Sequence, residues 1–206
     1  MRKLAYIFCI ALFLFGCGIS YHSMNLSYDP IDHYPPQFFS PKDKRPTLYI
    51  NSVVDSRAII SKSTEPEGSS GRFEEDPLLI YKTKDFGGRA YVRTRKTPRE
   101  IIRDALEDEL RRFNVTLTKE RSLANGVLNA SIERFQQIDL LSAKPLVKID
   151  LKLYQTGLDD PVWRGTLKGT GGVLNSALSM AIKQWYSYPD FQEALVSLAG
   201  NVTSPS

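Results

Sequence analysis

Two histidines and two cysteines are the whole supply of imidazole bases and thiolates in this chain of 206 residues, and all four precede residue 34. His22, His33, Cys9 and Cys17 are therefore the only soft ligands, and residues 34–206 contain none. A Ser-His-Asp triad needs an imidazole, a Cys-His pair needs a thiolate as well, and a zinc site draws on the same two side chains. None of these can be built from residues 34–206, and we expect no metal and no cofactor. Carboxylates remain. Asp55, Glu133, Asp139, Asp150, Asp159 and Asp160 are candidates for a glycosidase-type pair, in which one acid protonates the leaving group and the other attacks or activates water. Such a pair needs a cleft and a raised pKa, and the sequence marks neither. Asp159-Asp160 stands in a Gly/Pro turn, where Asp is favoured for backbone reasons. Gly169-Thr170-Gly171-Gly172 invites a phosphate-loop reading. It lacks the Gly-Lys-Ser/Thr ending and reads better as relief of a tight strand-to-helix turn. The expectation is a chain that is not an enzyme.

The N-terminus carries a different chemistry. Arg2 and Lys3 precede an unbroken apolar run over residues 4–15. At twelve residues it is short of the roughly 20 that span a bilayer as a helix, and it fits the apolar segment of a secretory signal. Leu14, Gly16 and Cys17 then resemble the lipobox of bacterial lipoproteins, although Phe15 is bulkier than the small residue usual there. The resemblance implies cleavage after residue 16 and a covalent diacylglycerol and N-acyl lipid (palmitate chemistry) on Cys17. Each buried acyl CH₂ contributes about 0.8 kcal/mol, and two or more chains anchor stably. Gly18, in place of the Asp that retains such proteins at the inner membrane, implies the periplasmic face of the outer membrane of a two-membrane cell. Cys9 is a small apolar residue within the discarded signal.

Charge excludes one class of partner. The chain holds 27 basic and 23 acidic side chains. Loss of residues 1–16 takes Arg2 and Lys3 with it and leaves 25 against 23. Bulk charge therefore gives no case for nucleic acid. Locally, Arg89, Arg93, Arg95 and Lys96, with Arg99, Arg103 and Tyr91, form a basic stretch suited to an anionic surface. Glu100, Asp104 and Glu107 offset it, and a solvated face is the plainer reading. Candidates for contact with another envelope protein are Asp55 and Arg57 at a strand end, and the aromatics Tyr154, Trp163, Tyr186 and Tyr188. For Asp55-Ser56-Arg57 the competing reading is a local turn in which Arg57 pairs with a nearby acid. Trp185 reads as core.

These residues must be held by elements that the pattern makes legible. Residues 17–45 carry Pro30, Pro35, Pro36 and Pro41 and no sustained period, which predicts an extended tether. Tyr34, Phe38 and Phe39 are the side chains there that would dock on the domain or on lipid headgroups, the domain being the preferred reading. A single domain is expected over residues 46–200. Residues 47–54 have strand composition, with Leu48, Ile50 and Ser52 on one face and Tyr49 and Val53 on the other. Residues 58–77 read as a mobile loop, and residues 78–82 and 89–93 as a hairpin around Asp85-Phe86-Gly87-Gly88. Thr97-Pro98-Arg99-Glu100 is a capping box, followed by Ile101, Ile102, Ala105, Leu106, Leu110 and Phe113 on one helical stripe. Asn114 is its left-handed terminator. Residues 115–118, 127–135, 146–154 and 162–168 follow as strands, the last two as an antiparallel hairpin. In residues 146–154, Val147, Ile149, Leu151 and Leu153 alternate with Lys148, Asp150, Lys152 and Tyr154, so one face meets a core and the other water or a partner. A second helix starts at Val173, is interrupted near Pro189 and continues to Leu198; residues 201–206 should fray. The sum is an α+β fold, a mostly antiparallel sheet of four to six strands with two amphipathic helices packed on one face.

From the lipobox, through residues 47–57 and the capped helix, to the later strands and closing helix, the layout resembles the YajG type of small bacterial envelope lipoprotein. It is similar, more loosely, to auxiliary lipoproteins of envelope ABC transporters and to lipoprotein activators of cell-wall synthases. The likeness is one of pattern with few identities, and the loop of residues 58–77 is longer than it leads one to expect. It implies an anchored accessory or adaptor module with no catalytic residues to carry over. A small-ligand or lipid-binding lipoprotein, with an apolar cavity between sheet and helices, is the alternative.

Overall fold

The computed structural model describes residues 19–28, 39, 44–57, 79–85, 88–136 and 144–200. In chain order the strands are β1 (Ile19–Met24), β2 (Thr47–Asp55), β3 (Leu79–Asp85) and β4 (Gly88–Thr94). Helix α1 (Pro98–Arg112) is followed by β5 (Thr116–Leu117), β6 (Gly126–Gln136), β7 (Leu146–Gln155) and β8 (Pro161–Thr170). Helices α2 (Leu174–Lys183) and α3 (Pro189–Gly200) close the chain, joined by a 3-10 turn at Gln184–Ser187.

The capping box forms as its sequence predicts. The Glu100 amide donates to Thr97 Oγ1 at 3.2 Å, and the Thr97 amide donates to Glu100 Oε2 at 2.7 Å. Two otherwise orphaned N–H groups are thereby satisfied. Ile101, Ile102, Ala105, Leu106 and Leu110 are buried on one stripe, each large side chain contributing about 2 kcal/mol of burial. Asn114 ends the helix at φ 64°, the left-handed conformation that Asn tolerates.

The main sheet has the order β5-β2-β6-β7-β8. Its long ladders, β6 with β7 and β7 with β8, are antiparallel. β2 runs parallel to both β5 and β6, because α1 carries the chain back across the sheet between them and a crossover returns a strand in the same direction. The fold is α+β, with the apolar side of the sheet under the helices. Leu48, Ile50, Leu128, Ile132, Ile149, Leu151 and Leu167 are at most 5% exposed.

Val53 corrects the expected facing of β2. A bulge between Ile50 and Ser52 shifts the alternation and turns Val53 inward, 4% exposed. A second bulge between Ile132 and Arg134 does the same for Phe135.

The small sheet has the order β1-β4-β3, with β1 parallel to β4 and β3 antiparallel to it. β1 lies within the segment expected to be an extended tether. The chain after it is docked: Leu26 is buried, and the Tyr28 hydroxyl donates to Glu109 Oε1 of α1. Phe39 packs into the core as expected, its carbonyl accepting from Asn114 Nδ2 at 2.8 Å. Tyr34, Phe38, the loop of residues 58–77 and the tail of residues 201–206 lie outside the described residues, as does Cys17.

Candidate functional site

The side of the main sheet away from the helices is uncovered by any described helix and is strongly basic. Arg134, Lys148 and Lys168 stand in register across β6, β7 and β8. Lys152 and Arg164 form a second in-register pair, on β7 and β8, about 13 Å further along at the rise of a strand. Directly opposed residues have Cβ atoms roughly 5 Å apart, and like charges so placed repel. None of the five cations makes an ion pair among the described residues.

The acids here are occupied by hydroxyls. Thr166 Oγ1 donates to Asp150 Oδ1 at 2.7 Å, and Ser131 Oγ donates to Glu133 Oε1 at 3.1 Å. Beside them, Asn51 Nδ2 and Ser52 Oγ both donate to Asn129 Oδ1 at 3.0 and 3.2 Å. The surface is thus a flat, polar, hydroxyl- and amide-rich strip flanked by two basic rows. It can hold an anionic surface by complementarity.

Both edges of this sheet are blunted. β5 pairs with β2 only at Thr47 and Leu48. Beyond it, Arg103 donates to the Ile50 carbonyl at 3.1 Å and Arg99 to the Val53 carbonyl at 2.8 Å. On β8, the Tyr188 hydroxyl donates to the Thr166 carbonyl at 2.8 Å, and the Lys168 amide donates to Gln184 Oε1 at 2.7 Å. Occupied edge groups disfavour addition of a further strand.

The candidates named from sequence separate into two sets. Asp55 and Arg57 bind each other: Arg57 Nε and Nη2 donate to the two Asp55 carboxylate oxygens at 2.8 and 2.6 Å, and Nη1 to the Phe135 carbonyl at 3.1 Å. Arg57 is 4% exposed, so this bidentate pair clamps the end of β2 to β6 and follows the local-turn reading. Trp163 lies on the helix side, also 4% exposed, its ring 4.7 Å from Phe191 and 5.7 Å from Tyr188. Trp185 stacks on Phe191 at 5.2 Å in the core. Tyr188 packs against that core. Tyr154 is half-buried on the open side, opposite Val127. Tyr186 belongs to the 3-10 turn, and its side chain lies outside the described residues.

The basic stretch around β4 is likewise divided. Arg93 is half-buried and Arg95 exposed. Lys96 Nζ pairs with Asp104 at 2.7 Å, and that hydrogen bond and charge hold its pKa above the ordinary lysine value. Hydrogen bonds from Thr97 hold the Glu100 carboxyl below its ordinary value. Arg89 pairs with Ile19 of β1 and Lys84 of β3 along the backbone, and its side chain lies outside the described residues.

Sequence reasoning named Lys148, Asp150 and Lys152 as facing water or a partner, and missed Arg134, Arg164 and Lys168 as members of the same site. Their alternation is visible in sequence, but the register that opposes like charges is not.

Of the six candidate carboxylates, Asp55, Glu133 and Asp150 have the partners given above, and Asp159 and Asp160 are exposed in the β7–β8 turn. Asp139 lies outside the described residues. Among the described residues no three His, Cys, Asp or Glu converge as metal ligands, and no helix is long and apolar enough to cross a membrane. At Gly169 a Cβ would sit 1.9 Å from the Ala177 carbonyl oxygen, so α2 and β8 touch backbone to backbone where a ligand reading would want space. A Cβ on Gly171 would meet Ser176 Oγ at 2.1 Å, whereas one on Gly172 would meet nothing within 4 Å, so Gly169 and Gly171 are the glycines that the turn requires sterically. A cleft of about 550 Å³ lies at the surface between the start of β8 and α3, lined by Trp163, Arg164, Asp190 and Glu193 among others.

No family model matches the sequence, and no curated protein matches it. Solved structures overlap more. Protein XCC0632 from Xanthomonas campestris, of the family DUF330, is 12% identical with a TM-score of 0.47, over 88% of this chain and 96% of that one. PelC from Paraburkholderia phytofirmans, a dodecamer, is 16% identical with a TM-score of 0.39, over 70% and 88%. The lipoprotein GNA1162 from Neisseria meningitidis is 13% identical with a TM-score of 0.28, over 72% and 98%. At these scores the likenesses carry no argument about what this chain does.

Proposed function

We propose that this chain is a non-enzymatic envelope lipoprotein, anchored through Cys17 to the periplasmic face of an outer membrane, whose domain docks an acidic surface of another envelope protein. The observation that carries the docking role is the sheet face that no described helix covers: five cations without ion pairs among the described residues, among them the opposed pairs Lys148 with Lys168 and Lys152 with Arg164. Opposed like charges lower the stability of the free domain, and an anionic partner relieves that repulsion. Such complementarity sets association rate and register. The blunted edges favour contact through the face over strand exchange. The lipobox supports the anchor, and the YajG-type layout supports an accessory role.

The test is in-cell crosslinking of the full-length protein followed by mass spectrometry, with Cys17→Ala as the mislocalised control. The expected result is one envelope protein enriched near stoichiometrically and lost in the control. Recovery of no reproducible protein, or turnover of a cell-wall or lipid substrate by the purified chain, would count against the reading.

A further inference from the structure

We infer that the small sheet is a spacer whose β1-start end rests on the anionic headgroups of the membrane that holds the acyl chains, so that the domain is held in one orientation and does not swing on a tether. The inference rests on acylation of Cys17 and goes beyond it. One residue, Gly18, separates Cys17 from β1. Two peptide steps reach at most about 7 Å, so the start of β1 cannot leave the surface by more than that. β1 is paired along its whole length to β4, from Ile19 with Arg89 to Met24 with Thr94. β3 adds Lys84 opposite Arg89. The end of the sheet nearest the anchor therefore carries Lys84 and Arg89 in adjacent register, with Asp85 next to Lys84 in β3.

The opposite end is bound to the domain. Met24 and Val92 pack against the core, Leu26 is buried within it, and Tyr28 is hydrogen-bonded to Glu109. The six residues of β1 span about 20 Å. Anchor, spacer and domain are thus continuous, with no free chain between β1 and α1's docking site. Cations at the membrane end suit an anionic leaflet, whose attraction falls off within a Debye length of roughly 8 Å.

The acylated full-length chain, reconstituted in phosphatidylethanolamine vesicles with phosphatidylglycerol and a trace of headgroup-linked acceptor dye, tests this. Acylation leaves no free thiol in the mature chain, so Thr83→Cys, in β3 beside the two cations, or Leu158→Cys takes a single donor dye. Leu158 is exposed in the β7–β8 turn, at the other end of the main sheet. The expected result is energy transfer several-fold stronger from position 83 than from position 158. In the Leu158→Cys protein, adding Lys84→Glu and Arg89→Glu should raise transfer as the orientation is lost. Equal transfer from the two positions in vesicles that carry the protein overturns the spacer and leaves the anchor standing. Failure of the chain to float with the vesicles overturns the anchor and the spacer together.

Discussion

At Asp55 and Arg57 a charge is buried and matched on the spot. The guanidinium spans the Asp55 carboxylate and the Phe135 carbonyl, so β2 and β6 are tied where their parallel ladder ends. Removing Asp55 takes two charge-assisted hydrogen bonds from a buried guanidinium. Asp55→Ala should cost about 3 kcal/mol in urea denaturation, and loss of less than a few tenths would show that the clamp holds nothing. The opposite sign is expected at Lys168. Lys168→Gln removes one of two opposed cations and should raise stability by about 0.5 kcal/mol, while lowering the yield of partner crosslinking. A face that merely meets water would show no change in crosslinking. The pairing of Arg57 with a nearby acid is legible in sequence as the competing reading of the turn. The opposition of Lys148 with Lys168 is not, because register across strands depends on bulges that no local pattern marks.

At the scale of elements, the helices and most strands follow from periodicity and caps. The capping box at Thr97, the left-handed Asn114 and the alternation through β7 each have a local cause, and each is present. Two features have non-local causes and escape the pattern. The parallel pairing of β2 with β6 joins residues more than seventy apart, and the parallel pairing of β1 with β4 joins residues seventy apart. The segment of residues 17–45 reads as a tether because its prolines all lie beyond β1, and the lack of period across the whole segment hides the six residues that pair. The close backbone approach of α2 to β8 at Gly169 is one to which sequence offers only a hint, a glycine before a helix. Gly169→Ala places a methyl against the Ala177 carbonyl and should destabilise by about 2 kcal/mol through overpacking. An unchanged denaturation midpoint would show that α2 can lift away.

At the scale of the whole molecule, the main sheet has one side committed to the core and one side that no described helix covers. Of the aromatics that sequence offers as interface anchors, Trp163 and Tyr188 pack on the committed side, while Tyr154 stands half-buried on the other. Around Tyr154 that other side holds mostly charge and hydroxyls, and this division supports the proposal that recognition falls to the basic face. A photo-activatable crosslinking residue placed at Lys152 on that face, against one at exposed Met180 on α2, tests the assignment in the intact cell envelope. The account predicts a protein adduct from position 152 whose yield falls at least several-fold when Lys148→Glu and Lys168→Glu are added, with little adduct from position 180. Equal adducts from both positions, or a yield from position 152 indifferent to the charge reversals, would contradict it.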